Sequence, residues 1–132
     1  MPIVDWAFLC DKASVDVSGK LTIIGAFRNL NAHTLPFSHP QMFVALGLKL
    51  APEEDYEVST TIISPTGKEI ARLGATRARG EAEHEITTVV IFRYHETTFS
   101  ETGEHRIEIF LNGNSVRSLP LTIGLLPRGV HD

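Results

Sequence analysis

The segment from Gly103 to Ile123 constrains the fold of this chain more than any other part of the sequence. Within it, apolar and polar side chains alternate up to the dipeptide Asn112-Gly113, and a second extended stretch follows. Strand side chains point to opposite faces with a period of two, and Asn-Gly supplies the positive φ angles of a type I′ turn. The segment therefore predicts a β-hairpin. Because Pro120 cannot donate a hydrogen bond to a neighbouring strand, we expect the returning strand to lie at a sheet edge or to carry a bulge there.

Several other segments show the same alternation. The most regular apolar stripe consists of Met42, Val44, Leu46, Leu48 and Leu50. Such a stripe favours a strand at the centre of a sheet. The stretch that starts at Leu21 is apolar on both faces, which also favours a central strand. Near the start of the chain, one apolar face is formed by the even positions Val4, Trp6, Phe8 and Cys10, and the odd positions form a mixed face.

Two segments lack a sustained period and are predicted to be loops. Residues 29–40 contain two prolines, and the bonds Leu35-Pro36 and His39-Pro40 are each compatible with either peptide isomer. Residues 74–85 are rich in small and charged side chains and contain two glycines, which is typical of a loop or a flap.

Together the segments predict one all-β domain over residues 1–132. We expect an antiparallel two-sheet β-sandwich of about eight strands, because a sheet with one apolar face must bury that face and no amphipathic helix is available to cover it. A small closed β-barrel is the alternative.

Charge and cysteine content narrow the classes of partner. The formal net charge is -4, which disfavours nucleic acid as a partner because phosphate contacts require a basic face. The first apolar run is interrupted by Asp5 and Asp11, so it predicts neither a secretory signal nor a membrane span, and we expect no membrane partner. With neither signal predicted, we expect a cytoplasmic protein. Cys10 is the single cysteine, so no intrachain disulfide can form, and it is predicted to be a small buried apolar side chain.

Motifs along nearly the whole chain resemble those of a family of small bacterial proteins of unknown function. They are MPIVDWAFLCD, VDVSGKLTIIGAF, LPFSHPQMFVALGLKL, SPTGKE, FSETGEHRIEIFLNG and LPLTI. The resemblance implies an immunoglobulin-like sandwich and no particular activity. His105 stands where such sandwiches usually have a tyrosine, so the resemblance does not extend to a tyrosine-corner hydrogen bond.

No catalytic motif is present, and we expect neither a cofactor nor a catalytic set. The polar candidates are four histidines, His33, His39, His95 and His105, and they carry the alternative hypothesis of a metal-binding domain or a metal-assisted enzyme. Strand alternation predicts that His95 points outward and His105 inward, which disfavours a shared zinc site. Carbohydrate binding through the outward aromatic side chains Phe43 and Phe110 is a weaker alternative.

The sequence contains more apolar surface than one sandwich core needs, which is typical of an interface. The alternative is that the C-terminal tail covers this surface within the same chain. The candidate interface residues are Ile3, Ala7, Leu9, Ile24, Leu125 and Leu126. Because edge strands pair readily with other strands, we expect a non-enzymatic module that binds a protein or a ligand, with self-association into a homodimer as one form of that binding.

Overall fold

The computed structural model describes residues 3–81 and 83–126, and its regular structure in those residues is entirely β. The strands are β1 (Ile3–Val15), β2 (Leu21–Ala26), β3 (Asn29–Ala32), β4 (Phe37–Leu50), β5 (Asp55–Ile63), β6 (Glu69–Arg79), β7 (Ile86–Phe99), β8 (Gly103–Leu111) and β9 (Asn114–Leu125). The predicted all-β class is confirmed. The described residues include no helix of the length and apolarity that a membrane crossing requires.

The strands form two sheets, as a sandwich requires. The four-stranded sheet has the order β2-β1-β4-β7, and the five-stranded sheet has the order β3-β9-β8-β5-β6. Pairing is antiparallel except between β3 and β9, which run parallel. The parallel pair arises because the chain leaves β2 at Ala26, crosses between the sheets through Phe27 and Arg28, and continues as β3 beside β9.

The core lies between the sheets and is centred on β4, as predicted. Met42, Val44, Leu46, Leu48 and Leu50 are all 0 % exposed, and β4 is flanked on both sides by other strands. From the five-stranded sheet they meet a second set of buried side chains, including Ile62, Ile107, Ile109 and Leu121. Burying an aliphatic side chain of this size contributes about 1.5–3 kcal/mol, so this layer supplies a large part of the driving force for folding.

The predicted hairpin is confirmed as β8 and β9. Asn112 and Gly113 have φ angles of 50° and 81°, the left-handed values that a type I′ turn requires. The backbone N–H of Asn112 donates to the Glu57 carbonyl oxygen, and its side-chain oxygen accepts from the Glu57 N–H, both at 2.9 Å. The turn is thereby fixed to β5. The returning strand β9 lies between β3 and β8, not at the sheet edge that Pro120 suggested, and the register shift of this hairpin is at Ile109/Phe110. Pairing with β3 starts only at Thr122, however, so Pro120 lies on a locally unpaired stretch of β9.

Both predicted loops are partly wrong. Residues 29–40 include β3 and the start of β4, because pairing with the distant strands β9 and β7 imposes extended structure where the local pattern has no period. Residues 74–79 belong to β6, which pairs with β5 and forms ion pairs from Arg77 and Arg79 to Asp55. The Leu35-Pro36 bond is cis.

The face predicted for β1 is correct in grouping Trp6, Phe8 and Cys10 and wrong in including Val4, and the face those three share is the outer one. A register shift between Val4 and Trp6 reverses the alternation of the strand. Ala7 and Leu9 therefore point towards the main core, whereas Trp6 packs on the outer face of the four-stranded sheet with Cys10. Cys10 is fully buried there, as expected of a small apolar side chain. The stretch that begins at Leu21 forms an edge strand, not the central strand that its two apolar faces suggested.

Candidate functional site

The four candidate histidines do not assemble into one site. His33 and His95 are exposed, His39 is half-buried, and His105 is 1 % exposed. Within residues 3–81 and 83–126, no three histidine, cysteine or carboxylate side chains lie close enough together to hold a metal ion. The inward and outward phases predicted for His105 and His95 are confirmed.

His39 and His105 belong to a row of rings at one end of the sandwich. Ring centroids are separated by 6.0 Å between Phe27 and His39, 6.0 Å between His39 and Phe37, 6.3 Å between Phe37 and Phe99, and 5.2 Å between Phe99 and His105. Burial lowers the pKa of His39 below its usual value because the charged imidazolium loses solvation. These contacts give both histidines a packing role.

A cleft of about 540 Å³ lies where the two sheets meet at one edge of the sandwich. It is bounded by β1, by the crossing from β2 to β3, and by β9. Its lining is Ala7, Phe8, Leu9, Ala26, Phe27, Arg28, Asn29, Leu119 and Pro120. Most of the lining side chains are apolar, whereas Arg28 and Asn29 add polar surface, so the accessible surface of the cleft is mixed.

Two incomplete strand pairings create the cleft. β2 pairs with β1 only between Cys10 and Val15, so among residues 3–81 and 83–126 the part of β1 before Cys10 has no partner strand on that side. β3 pairs with β9 only from Thr122 onward, so no strand of the described part of the chain pairs with this side of β9 before Thr122. Two stretches of open strand edge, one from each sheet, thus border the same cleft.

Backbone hydrogen bonds show which groups point into this space. The Leu9 carbonyl oxygen accepts a 3.0 Å hydrogen bond from the Phe27 N–H on the β2 side of β1. Since backbone groups of alternate residues point to the same side of a strand, the N–H and C=O of Ala7 point into the cleft. On β9, the Thr122 N–H donates to the Arg28 carbonyl oxygen at 2.8 Å, so Pro120, which has no N–H, also turns its backbone towards the cleft.

Arg117 spans the gap between the sheets. Its Nη1 donates a 3.0 Å hydrogen bond to the Val4 carbonyl oxygen on β1, although Arg117 itself lies on β9. The bond fixes the spacing of β1 and β9 beside the cleft.

The charge of the cleft is unbalanced. The described residues that line it include the exposed Arg28 and no aspartate or glutamate. Within the described residues Arg28 has no ion-pair partner, whereas other exposed arginines do, such as Arg72 with Glu69 at 2.6 Å and Arg106 with Glu108 at 3.2 Å. The cleft is thus locally positive in a chain whose net charge is -4.

An apolar strip continues from the cleft onto the outer face of the four-stranded sheet. Phe8 is 43 % exposed, lines the cleft, and lies against Trp6 with a centroid separation of 5.9 Å. The Trp6 indole covers Gly47, where a Cβ atom would overlap the indole. Phe8 therefore joins the cleft to the outer apolar surface.

The structure brings two of the candidate interface residues together at the cleft, Ala7 and Leu9, although Leu9 is only 4 % exposed and belongs to the core. Ile24 is 55 % exposed on β2 and Leu125 is 52 % exposed at the end of β9, both away from the cleft lining. Leu126 is half-buried, and the side chain of Ile3 lies outside the described part of the structure.

The other cleft residues were not among the interface residues predicted from the sequence. Phe27, Arg28 and Asn29 lie at or beside the predicted loop of residues 29–40, and only the crossing between sheets gives them a common surface. The sequence feature that pointed to the cleft was Pro120, which cannot donate a hydrogen bond to a neighbouring strand and therefore predicted a sheet edge or a bulge. Phe43 and Phe110, the carbohydrate candidates, are both partly buried and lie on different sheets.

The fold and the cleft define a small two-sheet β-sandwich with an open seam between its sheets. Residues 5–124 match the family described as "Family of unknown function (DUF6941)", and the chain belongs to that family. The resemblance to a family of unknown function is thereby confirmed. No curated protein sequence matches the chain.

Solved structures share the fold at low sequence identity. A β-glucosidase from Listeria innocua in complex with glucose has a TM-score of 0.52 and 14% identity, over 75% of this chain and 15% of the glucosidase chain. The Pseudomonas fluorescens alkylpurine DNA glycosylase AlkC, bound to DNA containing an abasic site analog, has a TM-score of 0.51 and 14% identity, over 89% of this chain and 30% of that chain. This chain thus spans less than a third of either protein.

Proposed function

We propose that this protein is a non-enzymatic binding module that takes up an extended polypeptide segment in the cleft between β1 and β9. The observation that carries the proposal is the pair of open strand edges at one cleft. An open edge offers unpaired N–H and C=O groups, and an added strand satisfies them.

The open edge of β1 is the pairing edge in this proposal. Ala7 offers both a donor and an acceptor to the cleft, whereas Pro120 removes a donor from the facing edge of β9. An extended segment gains main-chain hydrogen bonds from β1, and its alternate side chains contact Phe8, Phe27 and Leu119.

Partial coverage of two much larger enzymes is compatible with this role. In both, the shared fold makes up a minor part of the chain, 15% in the glucosidase and 30% in the DNA glycosylase. The proposal retains a cytoplasmic location, which the single buried thiol of Cys10 supports because small secreted domains commonly depend on disulfides.

Selection from a display library of random peptides about ten residues long, the upper range of a strand, tests the proposal. Enriched peptides are synthesised, and their affinities are measured for the wild type and two variants. Ala26→Arg places a long side chain in the cleft from an exposed position at the end of β2. Thr22→Arg is the matched control because it makes the same addition at an exposed position on the same strand outside the cleft lining.

We expect enriched peptides to bind the wild type and Thr22→Arg equally and to lose about tenfold or more in affinity, ~1.4 kcal/mol, for Ala26→Arg. Circular dichroism confirms that both variants keep the β fold. Peptides that bind all three proteins with the same affinity, or a library that yields no enrichment on the wild type over Ala26→Arg, would overturn the proposal.

A further inference from the structure

We infer that the extended segment bound in the cleft presents a carboxylate to Arg28, next to an apolar side chain that contacts Phe27 and Leu119. This inference rests on the proposed function and adds the chemistry of the ligand. Two observations support it. Arg28 lines the cleft, and no acidic side chain among the described lining residues offsets its charge.

Arg28 is held in place by its backbone while its side chain has no ion-pair partner among the described residues. Its carbonyl oxygen accepts the 2.8 Å hydrogen bond from the Thr122 N–H, which anchors the crossing segment to β9. The side chain is exposed and contributes to the cleft lining. A planar guanidinium with a fixed backbone is suited to binding a carboxylate through two parallel hydrogen bonds.

The surroundings favour an anionic ligand group. Asn29 adds a side-chain amide that can donate to an oxygen, and no carboxylate among the described lining residues competes for Arg28. Asp11 lies over Gly25, next to Ala26, but does not line the cleft. Phe27 and Leu119 line the same cleft and can contact an apolar side chain next to the carboxylate.

A carboxylate reaches the cleft either on an aspartate or glutamate side chain or as the free carboxyl terminus of a segment. Both sources offer the same two oxygens to Arg28. They differ in position along the segment, and synthetic peptides distinguish them.

The test uses the peptides enriched on the wild type, each synthesised in matched forms. In one arm every acidic side chain is replaced by its amide, and in the other arm the terminal carboxyl is replaced by an amide. Affinities are measured for the wild type, for Arg28→Gln, and for the control Arg93→Gln, which makes the same change at an exposed position on β7 outside the cleft.

We expect one of the two amide replacements to weaken binding to the wild type and to Arg93→Gln by about tenfold, and the arm that does so identifies the source of the carboxylate. With Arg28→Gln, acid and amide forms bind within about twofold of each other. Added salt weakens the acid form more than the amide form, because the contact is partly exposed.

Equal affinity of the acid and amide forms for the wild type overturns the carboxylate inference. If the same peptides still lose affinity for Ala26→Arg, the proposed function survives without it. A preference for the acid form that persists in Arg28→Gln also overturns the assignment to Arg28. Failure of all peptides to distinguish Ala26→Arg from Thr22→Arg is the separate result that removes the proposed function itself.

Discussion

Arg117 on β9 and Val4 on β1 are joined across the edge of the sandwich by a 3.0 Å hydrogen bond from Nη1 to the backbone carbonyl oxygen. The two residues are 113 positions apart in the chain. The bond connects strands of different sheets beside the cleft. It therefore helps to set the distance between β1 and β9, and with it the width of the cleft.

Arg117→Gln is expected to lower the free energy of unfolding by about 0.5–1.5 kcal/mol, because the shorter side chain no longer reaches the Val4 carbonyl oxygen. Chemical denaturation followed by circular dichroism measures the loss. Arg93→Gln, exposed on β7, is expected to change stability by less than about 0.5 kcal/mol. Equal effects of the two substitutions contradict a bridging role for Arg117.

Gly47→Ala tests the packing of the single tryptophan, Trp6. A Cβ at position 47 occupies space that the Trp6 indole fills, so the ring must move outward. We expect a loss of about 1–3 kcal/mol in the free energy of unfolding and a shift of tryptophan emission to longer wavelength. Ser38→Ala, exposed on the same strand, serves as the control. An unchanged emission spectrum of Gly47→Ala would show that the indole does not cover this position.

Tyr94→Phe tests the hydrogen bond between Tyr94 and Thr60 inside the core. The Tyr94 hydroxyl donates a 3.2 Å hydrogen bond to Thr60 Oγ1, and burial is the main cause that raises its pKa to about 12. Tyr94→Phe is expected to cost about 1 kcal/mol of stability at neutral pH, measured by denaturant titration. Stability that matches the wild type within error at neutral pH argues against the bond.

The raised pKa of Tyr94 also predicts an alkaline pH dependence. The unfolded chain loses the phenol proton near the usual pKa of 10.0, before the folded chain does. The contribution of Tyr94 to stability is therefore complete below this value and is lost as the pH rises towards about 12. The difference in unfolding free energy between the wild type and Tyr94→Phe should narrow over this range. A difference that stays constant contradicts the predicted titration.

His39 predicts a dependence on acid pH of the opposite sign. Burial lowers its pKa below the usual 6.5, and the charge of Asp11 opposes this shift only in part. The unfolded chain therefore takes up the proton first, and stability falls as the pH drops below 6.5 and through the lower pKa of the folded state. In His39→Phe, which keeps a ring between Phe27 and Phe37, this part of the fall should disappear. Thermal unfolding across the acid range gives the comparison, and identical pH profiles contradict it.

Local periodicity was sufficient to predict the strands that carry their own pattern. The stripe from Met42 to Leu50 and the turn at Asn112-Gly113 are where the sequence indicated them, because burial of one face and the φ angles of a turn depend on residues close in the chain. β3 was not predictable in this way. Its four residues are held by parallel pairing with Thr122 to Leu125, about ninety positions later.

Only part of the candidate site could be predicted from the sequence, because pairing between distant parts of the chain determines the rest. A single register shift between Val4 and Trp6 reversed the facing of β1, so Leu9, expected at an interface, is instead a core residue beside the cleft. Arg28 acquires its position only because the chain changes sheets at Phe27. No periodic pattern marks such a crossing.

Amide hydrogen exchange at Ala7, measured by NMR with and without a saturating cleft-selected peptide, tests strand addition to β1 most directly. The Ala7 N–H points into the cleft, whereas alternation turns the N–H of Phe8 towards β4, so Phe8 is an internal control on the same strand. We expect the bound peptide to slow exchange at Ala7 by about tenfold or more and to change exchange at Phe8 much less. Exchange at Ala7 that is unchanged by a saturating peptide would contradict strand addition to β1.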